Sequence, residues 1–113
     1  MLPLKNRLKK KKDFDEVFKK GKGIEGFFLF LKIKNNDLKE SRFGFIVSQK
    51  VSKKAVIRNK TKRRMRAAVT NRKNFIKKGL DIVVMAKKGA ERKNFLEIEE
   101  ELVNLLKKIK VLE

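Results

Sequence analysis

The fold is decided between residues 42 and 86, which read RFGFIVSQKVSKKAVIRNKTKRRMRAAVTNRKNFIKKGLDIVVMA. Alternating apolar and polar side chains predict a strand over residues 42–50. A nearly all-apolar run over residues 80–86 is typical of a strand buried on both faces of a sheet. The intervening residues 53–78 predict one long helix. Strand, helix and strand make a βαβ unit, for which a right-handed crossover is the general expectation.

The predicted helix carries the strongest charge signal in the chain. Between residues 41 and 80 there is no acidic residue, whereas the same interval holds 14 lysines and arginines. A solvated helix face normally interleaves acids, which limit its self-repulsion. We therefore predict that this helix binds a polyanion. Ser52 is its candidate N-cap and Gly79 its candidate end.

The whole chain shares this charge: its 113 residues include 33 Lys and Arg against 13 Asp and Glu, for a net charge of +20. We predict a single RNA-binding domain over residues 1–113, with a basic lead-in over residues 1–12. A hydrophobic content of 41% favours a folded domain over a disordered basic tail.

Missing residue types exclude several kinds of chemistry. The chain has no His and no Cys, which excludes disulfides, Cys- or His-based zinc sites and imidazole bases. No apolar run approaches the roughly 20 residues that span a membrane, and no signal region follows the first residues. We expect a cytoplasmic protein with neither a membrane nor a small-molecule substrate as partner.

A strand is also predicted over residues 27–34, and its two faces differ. One face is wholly apolar and consists of Phe27, Leu29, Leu31 and Ile33. The other is half aromatic and half basic and consists of Phe28, Phe30, Lys32 and Lys34. A hairpin between this strand and residues 42–50 would bury the first face and offer the second to a partner.

Two further helices flank these elements. Asp13, followed by Glu16, has the spacing of a capping box, and Gly21 is a plausible end for the first helix. Asn94 and Glu97 repeat the spacing before the last helix. That helix has an apolar side made of Phe95, Ile98, Leu102, Leu105, Leu106 and Ile109. The acidic group over residues 97–101 is expected on its solvated exterior.

The phenylalanines divide by expected role. Aromatic side chains flanked by cations hold unpaired nucleotides through stacking and phosphate attraction, which suits Phe28 and Phe30. The alternative for one of these two is packing under the first helix. Phe14 and Phe18 suit either this role or packing of their helix onto the sheet. The remaining candidates are expected in the core, namely Phe27, Phe43, Phe45 and Phe95.

A nuclease acting alone would need another device. Without His, the usual one is a carboxylate pair that holds Mg²⁺. Asp13, Asp15 and Glu16 are the nearest cluster, but capping accounts for the first and last. We predict no catalytic residue in the protein. A structural or ribosomal RNA-binding protein and a protein-only nuclease remain the alternatives.

Four motifs in order carry a family resemblance. Residues 50–66 read KVSKKAVIRNKTKRRMR, which resembles the signature helix of the bacterial ribonuclease P protein family. Residues 7–18 resemble the N-terminal segment of that family, residues 43–48 its second strand and residues 81–88 the strand after the basic helix. The resemblance extends over nearly the whole chain.

The resemblance implies a function. The protein would bind a large catalytic RNA, and the ribonucleoprotein would remove 5′ leaders from precursor tRNA. The RNA would carry the hydrolysis with Mg²⁺ that it mainly binds itself, so the chain would be the non-catalytic subunit of an endoribonuclease. The implied fold is a two-layer α+β sandwich in α-β-β-β-α-β-α order, with a mixed sheet and a left-handed βαβ crossover.

The resemblance also implies two sets of site residues. The RNA-contacting helix would use Arg58, Asn59, Lys60, Lys62, Arg63 and Arg66. The cleft for the leader would use Phe14, Phe18, Phe30, Ser48 and Lys50.

Overall fold

Three helices and a four-stranded sheet form the frame of the computed structural model, which describes residues 2–112. In chain order the elements are α1 (Lys11–Lys20), β1 (Lys22–Glu25), β2 (Leu29–Asn35), β3 (Arg42–Ile46), α2 (Ala55–Arg72), β4 (Leu80–Ala86) and α3 (Phe95–Lys108). Short 3-10 turns lie at Leu4–Asn6, Lys73–Phe75 and Ala90–Arg92. The order and the mixed sheet confirm the predicted α+β class.

The strands lie in the order β1-β2-β4-β3. β4 pairs antiparallel with β2 and parallel with β3, and α2 connects the parallel pair. The predicted hairpin between residues 27–34 and 42–50 is wrong, because β4 lies between them and β2 forms its hairpin with β1. β4 is apolar on both faces because the core under α1 covers one face and the core with α2 and α3 covers the other.

The two faces of the sheet carry cores of different size. The larger core joins the sheet to α2 and α3 and includes Leu31 of β2, Val84 of β4 and Met65 of α2. The smaller core lies under α1 and joins Val17 to Val83. Successive residues of β4 therefore point into different cores, as predicted for a strand buried on both faces.

The boundaries of α2 differ from the prediction. The helix begins at Ala55, and its N-cap, Lys54, makes no side-chain capping bond. Ser52 does not cap it; its hydroxyl accepts a hydrogen bond from the N–H of Lys54 at 3.2 Å. The helix ends at Arg72, well before Gly79, whose positive φ of 83° leads into β4.

The other two helices test the capping predictions. Asp13 does not cap α1, which starts at Lys11, because its carboxylate pairs with Arg42 at 3.3 Å. Gly21 follows the last residue of α1, as predicted. At α3 the capping box is confirmed: Asn94 and Glu97 each accept the backbone N–H of the other, at 2.9 and 3.1 Å.

Two predictions around the start of β2 are wrong. Phe27 is 92% exposed and not in the core, whereas Phe28 packs against the larger core. The acidic group of α3 is not wholly solvated either, because Glu99 and Glu101 are buried. Glu101 accepts the backbone N–H groups of Phe27, Phe28 and Leu29, and β2 starts only at Leu29. Glu99 instead accepts Nδ2 of Asn71 at 2.7 Å and pairs with Arg72, both on α2.

Candidate nucleic-acid interface

The buried side of α2 orients its cationic side chains. Thr61, Met65, Ala68 and Val69 are buried, and the Thr61 hydroxyl is satisfied by donating to the carbonyl of Ile57 at 2.9 Å. With this stripe against the core, the side chains of Asn59, Lys60 and Arg63 are exposed. Three of the six predicted helix residues thus face away from the core, where a polyanion can reach them.

Lys62 and Arg66 lie on the flank of α2 that faces β3. The Arg66 guanidinium carbon is 5.8 Å from the centre of the Phe45 ring, within the range of a cation–π contact. Both cations line a pocket of about 400 Å³ that also receives the ring of Phe14 from α1. The charged residues that line this pocket are all cations: Arg7, Lys9, Lys62 and Arg66.

Arg58 has a different position from the other predicted helix residues. Its Nη1 donates to the carbonyls of Ser52 at 3.0 Å and of Lys53 at 2.9 Å. The side chain therefore holds the loop that leads into α2. Its charge stays at the start of the helix, while part of its hydrogen-bonding capacity is used within the protein.

The aromatic residues of the predicted cleft lie between α1 and the sheet. Phe14 packs with the smaller core, and its ring lies against Gly44 of β3. Phe18 is 36% exposed, and its carbonyl accepts a hydrogen bond from Lys32 Nζ of β2 at 3.0 Å. On the same strand, the ring of Phe30 covers Gly23, where a β-carbon would stand 2.9 Å from the ring.

The register of the sheet places the two loop residues of the predicted cleft. Phe30 is opposite Met85, which is opposite Ile46, so these three form one row across the sheet. The chain continues from Ile46 into a loop in which Ser48 and Lys50 are exposed. Phe28, which the alternation placed beside Phe30, instead packs against the opposite core.

Arg42 lies in the basic segment but serves the fold. Its Nε and Nη2 donate to the two oxygens of Asp81 at 2.9 and 2.7 Å, and its Nη1 to Asp13 at 3.3 Å. Hydrogen bonding to Asp81 raises the pKa of the Arg42 guanidinium above its usual range. Arg42 of β3 is therefore joined to Asp81 of β4 and to Asp13 of α1. Asp81 is the single acid in the otherwise apolar run 80–86, and this exception could have indicated a buried ion pair.

Two of the three acids considered for a metal site, Asp13 and Glu16, form ion pairs. Within residues 2–112, no three Asp or Glu side chains come together in a group that could hold a metal ion. Asp13 pairs with Arg42 and Glu16 with Lys20, each at 3.3 Å. The same part of the chain contains no helix long and apolar enough to span a membrane.

A cationic helix that adjoins an aromatic sheet face defines a basic α+β protein of the RNA-binding class. A family profile described as ribonuclease P matches residues 2–110. The chain is 42% identical to a ribonuclease P protein component of Pseudanabaena, covering 99% of this chain and 97% of the relative. It is 38% identical to that of Thermotoga maritima, covering 93% and 92%.

Solved structures agree with the sequence relatives. The ribonuclease P protein of Staphylococcus aureus superimposes with a TM-score of 0.86 at 34% identity, covering 96% of this chain and 98% of that one. That of Thermotoga maritima gives 0.82 at 37% identity, covering 90% and 96%. The chain belongs to the ribonuclease P protein family. Members of this family are protein subunits of a ribonucleoprotein that processes tRNA, so RNA is a partner of this chain.

Proposed function

We propose that this chain binds the catalytic RNA of ribonuclease P through α2 and holds the 5′ leader of precursor tRNA between α1 and the sheet. In this way it assists cleavage of the leader. The observation that carries the proposal is the cationic pocket in which Lys62 and Arg66 of α2 meet Phe14 of α1. Through this pocket the cationic side of α2 adjoins the face beneath α1, so that one protein can hold a structured RNA and a single strand together.

The exposed side of α2 suits a structured RNA. Arginine presents paired N–H donors that match phosphate oxygens, and lysine adds charge without fixed geometry. Arg63 and Lys60 supply these functions on the outward face, and Asn59 can bond a base edge or a ribose hydroxyl. The acid-free interval around them supports binding of the catalytic RNA.

The face beneath α1 suits an unpaired strand. Bases without partners stack on aromatic rings, and nearby cations attract the phosphates between them. Phe18 and Phe30 are partly accessible here, and the ammonium of Lys32 reaches from β2 to the carbonyl of Phe18 on α1. Ser48 and Lys50 extend the same end of the sheet, where a leader would leave the protein.

We assign the hydrolysis to the RNA partner and not to this chain. Mg²⁺ supplies charge stabilisation and an activated water in phosphodiester cleavage, and proteins hold it with one or two carboxylates together with substrate phosphates. Of the acids considered for such a role, Asp13 and Glu16 are engaged in ion pairs. As the family resemblance implies, we assign magnesium mainly to the RNA.

Reconstitution tests the proposal. The protein is added to the cognate catalytic RNA at low Mg²⁺, and removal of the leader from precursor tRNA is followed. We expect faster cleavage with the protein, and no cleavage by the protein alone. No acceleration would contradict the proposal. Cleavage by RNA-free protein that is lost on substituting Asp13, Asp15 and Glu16 would instead support a protein nuclease.

A further inference from the structure

Phe27 occupies the loop between β1 and β2 and has the most exposed large hydrophobic side chain in residues 2–112, at 92%. A single exposed apolar residue needs no explanation by itself. This one is distinctive because the backbone that carries it is rigidly held. The way in which it is held points to a binding role.

Glu101 of α3 fixes this loop from beneath. Glu101 is 7% exposed, and its carboxylate accepts the consecutive backbone N–H groups of Phe27, Phe28 and Leu29, at 3.0, 2.7 and 2.6 Å. A buried carboxylate is costly unless its oxygens are hydrogen-bonded. Three charge-assisted bonds meet that requirement and leave the backbone of Phe27 little freedom.

Gly26 closes the loop from the other side. Its N–H donates to the carbonyl of Leu29 at 2.7 Å, and its own carbonyl accepts Lys87 Nζ at 3.0 Å. A β-carbon at this position would stand 2.8 Å from the carboxyl group of Glu101, so only glycine allows the close approach. The loop is therefore pre-organised, which lowers the entropy cost when Phe27 binds a partner.

The surroundings of the loop carry charges of both signs and connect it to α2. The Lys93 ammonium lies 5.2 Å from the centre of the Phe28 ring. The carbonyl of Lys93 accepts Nη1 of Arg64, on α2, at 3.1 Å. Residues 87–93 contain four cations and one acid. Three of the cations form ion pairs: Lys87 with Glu25, Arg92 with Glu91 and Lys93 with Glu97. The fourth, Lys88, is exposed and lies outside these pairs.

We propose that Phe27 is a stacking platform for one unpaired base of RNA, separate from the face beneath α1. The inference deepens the proposed function and rests on it for the RNA partner. A rigidly presented aromatic ring fits a nucleobase, since stacking accepts any base, and the exposed Lys88 of the neighbouring segment 87–93 can attract a phosphate. The base belongs either to the catalytic RNA or to precursor tRNA.

A tryptophan reporter distinguishes these sources. The natural chain has no Trp and no Tyr, so the variant Phe27→Trp carries the only indole. The matched control is Phe75→Trp, at a phenylalanine that is 54% exposed and lies outside the loop. Catalytic RNA is added first and precursor tRNA second. We expect strong quenching at position 27 in one step and little change at position 75.

The affinity for RNA provides the second measurement. Phe27→Ala should weaken binding in the step that quenches the reporter, by roughly five- to 100-fold. The slope of log affinity against log salt should stay unchanged, because a phenyl ring neutralises no phosphate. Phe75→Ala should bind as the unaltered protein does, and circular dichroism should show that both variants are folded.

Several results would overturn the inference. Equal affinity for Phe27→Ala, with position 27 no more quenched than position 75, would overturn it. A second contrary result would be a dimer of the free protein, detected by sedimentation, that is lost in Phe27→Ala. Phe27 would then bind a second copy of the chain and not RNA. If the unaltered protein accelerates leader cleavage in either case, the proposed function stands. If that protein fails to bind the catalytic RNA, both proposals fail.

Discussion

The ring of Phe14 lies so close to Gly44 that a β-carbon on residue 44 would stand 2.5 Å from two ring carbons. Glycine at this point of β3 lets α1 approach the sheet closely. The same ring lines the cationic pocket shared with Lys62 and Arg66. The spacing between α1 and β3 is therefore set by one pair of residues, and with it the geometry where the two proposed RNA surfaces meet.

The variant Gly44→Ala tests this packing. The added methyl group should displace the Phe14 ring and lower the free energy of unfolding by about 1–3 kcal/mol, the usual cost of overpacking. Urea denaturation measures it. In a Phe14→Ala background the same methyl group should cost much less. An equal cost in both backgrounds would show that the ring does not set the spacing.

Phe18→Ala tests the face beneath α1. Loss of a stacked base should weaken binding of precursor tRNA to the reconstituted enzyme by about 1–3 kcal/mol. Mature tRNA, which lacks the leader, should bind unchanged. Phe75→Ala is the control, because it removes an exposed phenylalanine elsewhere. An equal loss of affinity for both tRNAs would show that Phe18 does not bind the leader.

Arg63→Ala tests the outward side of α2. The variant should bind the catalytic RNA more weakly, and its salt slope should be shallower by roughly one unit of log affinity per log salt for each phosphate that Arg63 neutralises. Arg63→Lys should keep the slope, because it keeps the charge. Binding measured over a range of salt concentrations decides this. An unchanged salt slope in Arg63→Ala would show that Arg63 does not contact a phosphate of the RNA.

Arg58→Ala should behave differently from Arg63→Ala. It removes a charge at the start of α2, and it also leaves the carbonyls of Ser52 and Lys53 without their donor. We expect lower thermal stability together with weaker RNA binding, whereas Arg63→Ala should leave stability unchanged. Thermal unfolding of the free proteins makes the comparison, and equal stability of the two variants would contradict it.

Arg42→Ala tests the ion pair that joins β3, β4 and α1. It leaves Asp81 buried without its guanidinium partner, so the free energy of unfolding should fall by about 3 kcal/mol. Lys5→Ala, which removes an exposed pair with Glu40, should have little effect. Urea denaturation measures both. A small effect of Arg42→Ala would show that solvent compensates for the missing partner.

Sequence reasoning succeeded where a local pattern decides the structure. The capping box of Asn94 and Glu97 and the doubly buried β4 are properties of short segments, and both are confirmed. It failed where a residue distant in the sequence determines the local structure. Phe27 fits the apolar alternation of β2, but Glu101, 74 residues away in the chain, binds its backbone N–H and keeps it off the strand.

The position of Glu101 on α3 could have indicated its burial. It lies three residues after Ile98 and four before Leu105, which places it on the apolar side of the helix. A carboxylate there needs hydrogen-bond donors, but the sequence does not show which. The strand order is likewise not a local property: alternation marks β2 and β3 as strands, but it does not show that β4 lies between them.

The pocket that joins α2 to α1 was beyond sequence reasoning for the same reason. Lys62 and Arg66 were predicted as helix residues and Phe14 as a cleft residue, in separate sets. Their meeting depends on α1 and α2 reaching the same edge strand from opposite sides of the sheet. Tertiary packing alone decides that arrangement.

The most direct test of the proposed role compares precursor tRNA with mature tRNA. Their dissociation constants are measured with the catalytic RNA alone and with the RNA–protein complex, at the same Mg²⁺ and salt concentrations. We predict that the protein strengthens binding of precursor tRNA and leaves that of mature tRNA nearly unchanged. An equal gain for both, or no gain for either, would contradict the claim that this chain holds the leader.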